Sequence, residues 1–194
     1  MRLQRLVPVL IVFALASALA APARAQYRRP YRTRTFEHGY EWSFLPTFTQ
    51  FQAKEDLDDD FGFGARFGYL YTPHHEVEFL WSNVSTNDSF FTSDHVDLNN
   101  FQVAYVYNFT KRDVVPYVTA ALGFLHTDDH DLGTETDFDS SVGGGVRFFL
   151  GRALYVRFEG KREFFKGDGR VFADGERFHH DEVSFGIGWR LGAP

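Results

Sequence analysis

The chain has 194 residues, 44% hydrophobic and 24% charged, which suits one domain rather than two large ones. It carries no Cys, which excludes a disulfide framework, Cys-rich zinc sites, thiol catalysis and a lipoprotein anchor; its net charge of −6 is the wrong sign for a nucleic-acid binder. An aromatic content of 18%, with 23 Phe and 9 Tyr, excludes a disordered chain.

Arg2 and Arg5 precede an apolar run from Leu6 to Leu19. The run ends in small residues, and Ala23-Arg24-Ala25 fits a cleavage site before Gln26. Residues 1–25 are therefore expected to be a cleaved signal peptide, its apolar run being short for a membrane helix. Residues 26–38, with Arg28, Arg29, Arg32 and Arg34, read as a basic tail. Beyond it, residues 39–191 change to a period of two, the mark of strands.

Eight such segments follow. The first sets Tyr40, Trp42, Phe44 and Phe48 against Glu41, Ser43, Thr47 and Thr49, with a bulge expected at Pro46. The second alternates Phe61, Phe63, Ala65, Phe67, Tyr69 and Tyr71 with Gly62, Gly64, Arg66 and Gly68. The third opposes Val77, Phe79 and Trp81 to Glu76, Glu78 and Ser82. The fourth opposes Phe101, Val103, Tyr105, Tyr107 and Phe109 to Gln102, Ala104, Val106 and Asn108. The fifth, about 115–125, is apolar on both faces; Val118, Ala120, Leu122 and Phe124 are expected to face outward.

In the sixth, Val142, Val146 and Phe148 alternate with Ser141, Gly143, Gly145 and Arg147. The seventh sets Leu154, Val156, Phe158 and Phe164 against Arg157, Glu159, Lys161 and Glu163. The eighth sets Val183, Phe185, Ile187, Trp189 and Leu191 against Glu182, Ser184, Gly186, Gly188 and Arg190. Phe51 and Arg162 break the pattern: Phe51 falls on the polar face and Arg162 on the apolar one. Either a bulge shifts the register, or Arg162 lies at the headgroup level.

The connections alternate. Those at Thr72–His74, Thr110–Asp113 and Gly151–Arg152 are short, and those at 52–60, 84–97, 126–138 and 166–180 are long and acidic. This describes an all-β, eight-stranded antiparallel up-and-down β-barrel, with short turns at the periplasmic rim and long loops outside. The large rings decide which face is inside. A narrow eight-stranded lumen holds glycines and a few long charged chains, not this many Phe and Tyr side chains. The barrel is thus expected to be transmembrane, apolar outward, with Tyr and Trp in interfacial girdles.

The polar face carries the candidate site. Arg66, Arg147, Arg157, Lys161 and Arg190 stand against Glu41, Glu76, Glu78, Glu159, Glu163 and Glu182. Ions in a lumen need partners, because desolvating them alone is costly. A mutually paired plug is the expected arrangement, with a gated path for ions or small solutes as the alternative. The acids and histidines of the long stretches (Asp56, Asp58, Asp59, Asp60; His126, Asp128, Asp129, His130, Asp131; His179, His180, Asp181) match no calcium-loop spacing and read as a hydrated rim. No metal site or cofactor is expected. A lipid-modifying enzyme is a further alternative, but no His-x-Ser spacing or G-x-S-x-G is present, so no catalytic residue is assigned.

The last three segments, Ser141-Val142-Gly143-Gly144-Gly145-Val146-Arg147-Phe148, Leu154-Tyr155-Val156-Arg157-Phe158-Glu159 and Val183-Ser184-Phe185-Gly186-Ile187-Gly188-Trp189-Arg190-Leu191, resemble the small outer-membrane barrels of the OmpA/OmpX type. The resemblance covers about residues 39–191. It implies residence in the outer membrane of a Gram-negative-type bacterium, contact with its lipids and lipopolysaccharide, and passage through periplasmic chaperones and the outer-membrane assembly machinery. It also implies a structural or surface-interaction role. A monomer is expected, with no nucleic-acid partner. Ser184, Gly186, Trp189 and Leu191 are similar to the terminal assembly signal, although Gly192, Ala193 and Pro194 follow where the family ends on an aromatic. The peptidoglycan-binding domain carried by some relatives is not expected.

Overall fold

The computed structural model describes residues 38–51, 59–87, 95–110, 112–129, 133–151, 153–167 and 175–192. The predicted signal peptide and, except for His38, the basic tail lie outside the described residues. So do Asp56, Asp58, His130 and Asp131. Eight strands follow in chain order: β1 (Gly39–Gln50), β2 (Asp60–Leu70), β3 (His75–Asn87), β4 (His95–Asn108), β5 (Val114–Asp129), β6 (Gly133–Phe149), β7 (Leu154–Lys166) and β8 (Arg177–Leu191). Each pairs antiparallel with its sequence neighbours, and β8 closes on β1. Closure leaves no sheet edge, which a lipid-embedded sheet requires, since lipid offers nothing for a free N–H or C=O.

The pattern of two places the rings outside. Tyr40, Trp42, Phe44, Phe67, Phe79, Val103, Leu122 and Ile187 are exposed, while Glu41, Glu76, Glu78, Arg147, Arg157 and Glu159 are fully enclosed. The fifth segment has the expected outer face, with Val118, Leu122 and Phe124 exposed. At the short-turn rim Trp42 and Trp189 stack across the β1–β8 seam at 4.5 Å. The turn after β2 is fastened by Thr72, whose hydroxyl accepts from the amides of His74 and His75.

Two expectations need correction. There is no bulge at Pro46: the β1–β2 ladder runs through the Pro46–Phe63 pair, and β1 and β8 keep one register on both sides of it. Direct pairing with β8 merely lapses at Leu45 and Pro46, where proline has no donor to offer. Of the two alternatives for Arg162, the register shift is excluded and the outward position stands. Arg162 points outward in an unbroken register, opposite Asp181, and forms a two-pronged pair with it at 2.6 and 2.7 Å.

The second correction concerns the long connections. Much of 84–97 and 126–138 is strand: β3 and β4 pair out to Asn87–His95, and β5 and β6 to Asp129–Gly133. β5 and β6 have 16 and 17 residues, where about 9–11 suffice to span a bilayer. The excess reverses polarity. The directly paired outward row Trp81–Phe101–Phe124–Phe138 is the last aromatic one. One step further the outward pairs are Asn83–Asn99, hydrogen-bonded at 3.1 Å, and His126–Thr136 at 2.8 Å. Inward, Val84, Val96, Leu98 and Leu125 are buried, together with Thr86, Thr127, Asp129, Glu135 and Asp137. These hairpins carry a polar outer face, which stands clear of the hydrocarbon.

The reversal sets a water boundary on a single strand. Leu122 and Asp128 share the outer face of β5, roughly 20 Å apart along the strand. In nanodiscs, a water-soluble maleimide is expected to modify Asp128→Cys and to leave Leu122→Cys unmodified over the same interval. Equal labelling would contradict the boundary.

Candidate functional site: the lumen charge network

β1, β2, β3, β6, β7 and β8 each aim charged residues inward because alternate positions of a strand face one side. At the short-turn half, four carboxylates (Glu41, Glu76, Glu78, Glu159) meet four guanidiniums (Arg66, Arg147, Arg157, Arg190). Glu78 lies at the centre. Arg157 grips both its oxygens, at 2.6 and 3.0 Å, while Arg147 donates to it at 2.8 Å and Arg66 at 3.3 Å. Arg157 also reaches Glu159 at 2.8 Å, and Arg66 pairs with the same carboxylate. Arg147 extends the chain to Glu76 at 2.7 Å and Glu41 at 3.6 Å, and Glu41 pairs with Arg190 near the rim.

Higher in the lumen a second group forms. Lys161 lies 2.5 Å from Glu163 and 3.2 Å from Glu182, and Glu163 also bonds His180. All eleven charged residues placed on the polar face from sequence thus face the lumen. They fall into two groups, with Lys161, Glu163 and Glu182 in the upper one.

Several uncharged residues line the same bore; Gln102, Asn108 and Ser141 stand on the inward face as expected, while Tyr117 and Asn100 escaped the sequence reading. The Tyr117 hydroxyl accepts from Arg157 Nε at 2.7 Å and donates to Glu159 at 2.5 Å, and its ring lies under both Arg147 and Arg157. Asn108 accepts from Arg147 at 3.1 Å. Asn100 and Gln102 both donate to Asp139, and Ser141 donates to Gln102 at 2.9 Å. The available signal was parity: Tyr117 shares the inward face with Thr119 and Ala121.

Glycine makes space for the tyrosines. Tyr117 sits opposite Gly145, and Tyr155 opposite Gly188. A Cβ on Gly145 would meet the Tyr117 ring at 2.7 Å, and one on Gly188 would meet Tyr155 at a similar distance. Each ring therefore lies over a neighbouring strand and fills bore that would otherwise be open.

Glu41, Glu76 and Glu78 bring carboxylate oxygens within 4.8 Å of one another, a spacing that could hold a cation. Arg147 already stands among them and supplies the positive charge. The supposed acidic rim divides in the structure: His126 and Asp128 lie on the outer face of β5, His180 turns inward to Glu163, and Asp181 outward to Arg162. Asp59 caps the β1 end by accepting from the Phe51 amide at 2.9 Å. Of the terminal signal, Ser184 and Gly186 face inward and Trp189 and Leu191 outward.

Residues 11–190 match the outer membrane protein beta-barrel domain family. Among solved structures, Neisserial surface protein A aligns with a TM-score of 0.56 at 13% identity, covering 81% of this chain and 97% of that one. The outer membrane protein OprG from Pseudomonas aeruginosa aligns with a TM-score of 0.52 at 13% identity, over 82% and 98% of the two chains. The N-terminal β-barrel domain of Pseudomonas aeruginosa OprF gives 0.51 at 13%, over 78% and 97%. No curated protein matches the sequence.

Two substitutions test the packing. Arg157→Ala takes one of three guanidiniums from Glu78 and one of two from Glu159, leaving the enclosed group one positive charge short, and is expected to cost about 3–5 kcal/mol, the range for breaking a buried pair on one side. Arg112→Ala, at an exposed turn, is expected to change little. Urea midpoints in detergent micelles read the difference. Gly145→Ala is expected to lower the midpoint as well, because the new methyl collides with the Phe158 carbonyl and Tyr117.

Proposed function

The chain belongs to the outer membrane protein beta-barrel domain family, and from that membership we propose that it is a closed, non-conducting barrel of the OmpA/OmpX kind that acts through its exterior. The short turns face the periplasm and the polar hairpins face outward. The carrying observation is the balance of the lower network, four carboxylates against four guanidiniums. Every member but Arg190 is buried below one-tenth exposure. A path for ions needs solvated, exchangeable groups, whereas these hold one another in multiple bonds.

The surface role follows from where exposed polar groups remain. Inside the membrane band the outer face is apolar and meets lipid. Beyond it, strands β3–β6 lift polar pairs above the headgroups, into the zone of lipopolysaccharide sugars. Arg162 and Asp181 mark the same level on β7 and β8. We propose a monomer without catalytic activity, delivered by periplasmic chaperones to the assembly machinery. The β8 residues Ser184, Gly186, Trp189 and Leu191 support that route.

Planar bilayers test the reading: the purified protein is expected to give no steady conductance. Sustained channel steps from wild type would favour the narrow-channel alternative. Incubation with labelled lipopolysaccharide is expected to leave its acyl chains unchanged, and their release or transfer would establish an enzyme.

A further inference from the structure

On β7 the inward residues run Arg157, Glu159, Lys161, Glu163 and then Phe165. At Phe165 the lumen changes character. Phe51, just past β1, joins Val84 of β3, Val96 and Leu98 of β4, Leu125 of β5, Phe165 of β7 and Phe178 of β8 in one buried apolar cluster. The Phe165 and Phe178 rings stack at 5.4 Å and 18°. His180, bonded to Glu163, packs against Phe51 and Phe165 at 5.4 and 5.8 Å. On β2 the backbone itself closes in, since a Cβ on Gly62 would meet Val84 Cγ2 at 2.6 Å. The cluster lies roughly 26 Å along the strand from Arg157.

We propose that this cluster is a second seal, in series with the charge network and separate from the ion pairs around Arg157. It closes the long-loop mouth by excluding water. The two barriers differ in kind. Ion pairs block by occupying the bore with groups that hold one another. The Phe cluster blocks by filling the bore with rings and aliphatic chains, whose own atoms cannot replace a permeating ion's hydration, although β6 turns buried Asp137 and Glu135 to the same level. The Phe165–Phe178 stack lies eight residues along β7 from Arg157 and includes no member of the Arg157 group, so it stays shut when those ion pairs are opened.

The inference rests on the closed-barrel reading, and single-channel recording of the full chain separates the two. Steady conductance by wild type overturns the closed barrel itself. With wild type silent, Arg157→Ala is expected to stay silent, as is the pair Phe165→Ser with Phe178→Ser. Combining all three substitutions is expected to give discrete steps. Conductance from either partial variant equal to that of the combination overturns the second seal, and so does a silent combination. Folding of each variant is read from its altered migration on unboiled gels. If the double serine variant does not fold, Phe178→Ser alone takes its place in the same comparison.

Discussion

Every feature of this chain answers to the need to satisfy backbone N–H and C=O groups where no water is present. Lipid cannot do so, and an open sheet would leave two edges bare. β8 must therefore return to β1, and eight strands close around a bore only wide enough for side chains. The large rings cannot fit inside it. They go to the lipid, where burial against acyl chains costs nothing, and glycines and charged chains are left for the interior.

That interior inverts the usual core. Its charges are desolvated, which is expensive, and only near-complete mutual pairing offsets the cost. The arrangement meets this condition by sharing. Glu78 serves three guanidiniums, Arg157 holds two carboxylates and a tyrosine hydroxyl, and Gly145 and Gly188 let Tyr117 and Tyr155 occupy the remaining volume. A network so interlocked has little freedom to rearrange, which ties the rigidity of the barrel to its closure.

The strands do not keep this inverted order along their whole length. Past the row Trp81–Phe101–Phe124–Phe138, water replaces lipid outside, and the same two-residue alternation puts Asn, His, Thr and Asp outward, while Val, Leu and Phe share the inner face with Thr127, Glu135 and Asp137. One continuous ladder thus passes from membrane rules to soluble rules without a break in pairing. The lumen accordingly changes from ion pairs to a packed apolar cluster. The surface changes from a face that only lipid can cover to one that offers hydrogen bonds.

Alternation alone determined the strand count, the inward placement of Arg157, Glu78 and Glu159, and the choice of lipid for the outer face, because side-chain period and ring size are local properties. The same local reading extended the loops too far, since it equated polar residues with loops. At Ser85, Asp97 and His126 the outer solvent had changed while the ladder continued. It also treated Phe51 as a misfit, when Phe51 is the edge of a cluster whose other members lie on β3, β4, β5, β7 and β8. Which guanidinium meets which carboxylate, that Tyr117 belongs among them, and that Arg162 answers Asp181 were decided only by the closed sheet. Its tilt and register bring together residues up to 149 positions apart, as with Glu41 and Arg190, and no spacing within a single strand encodes that.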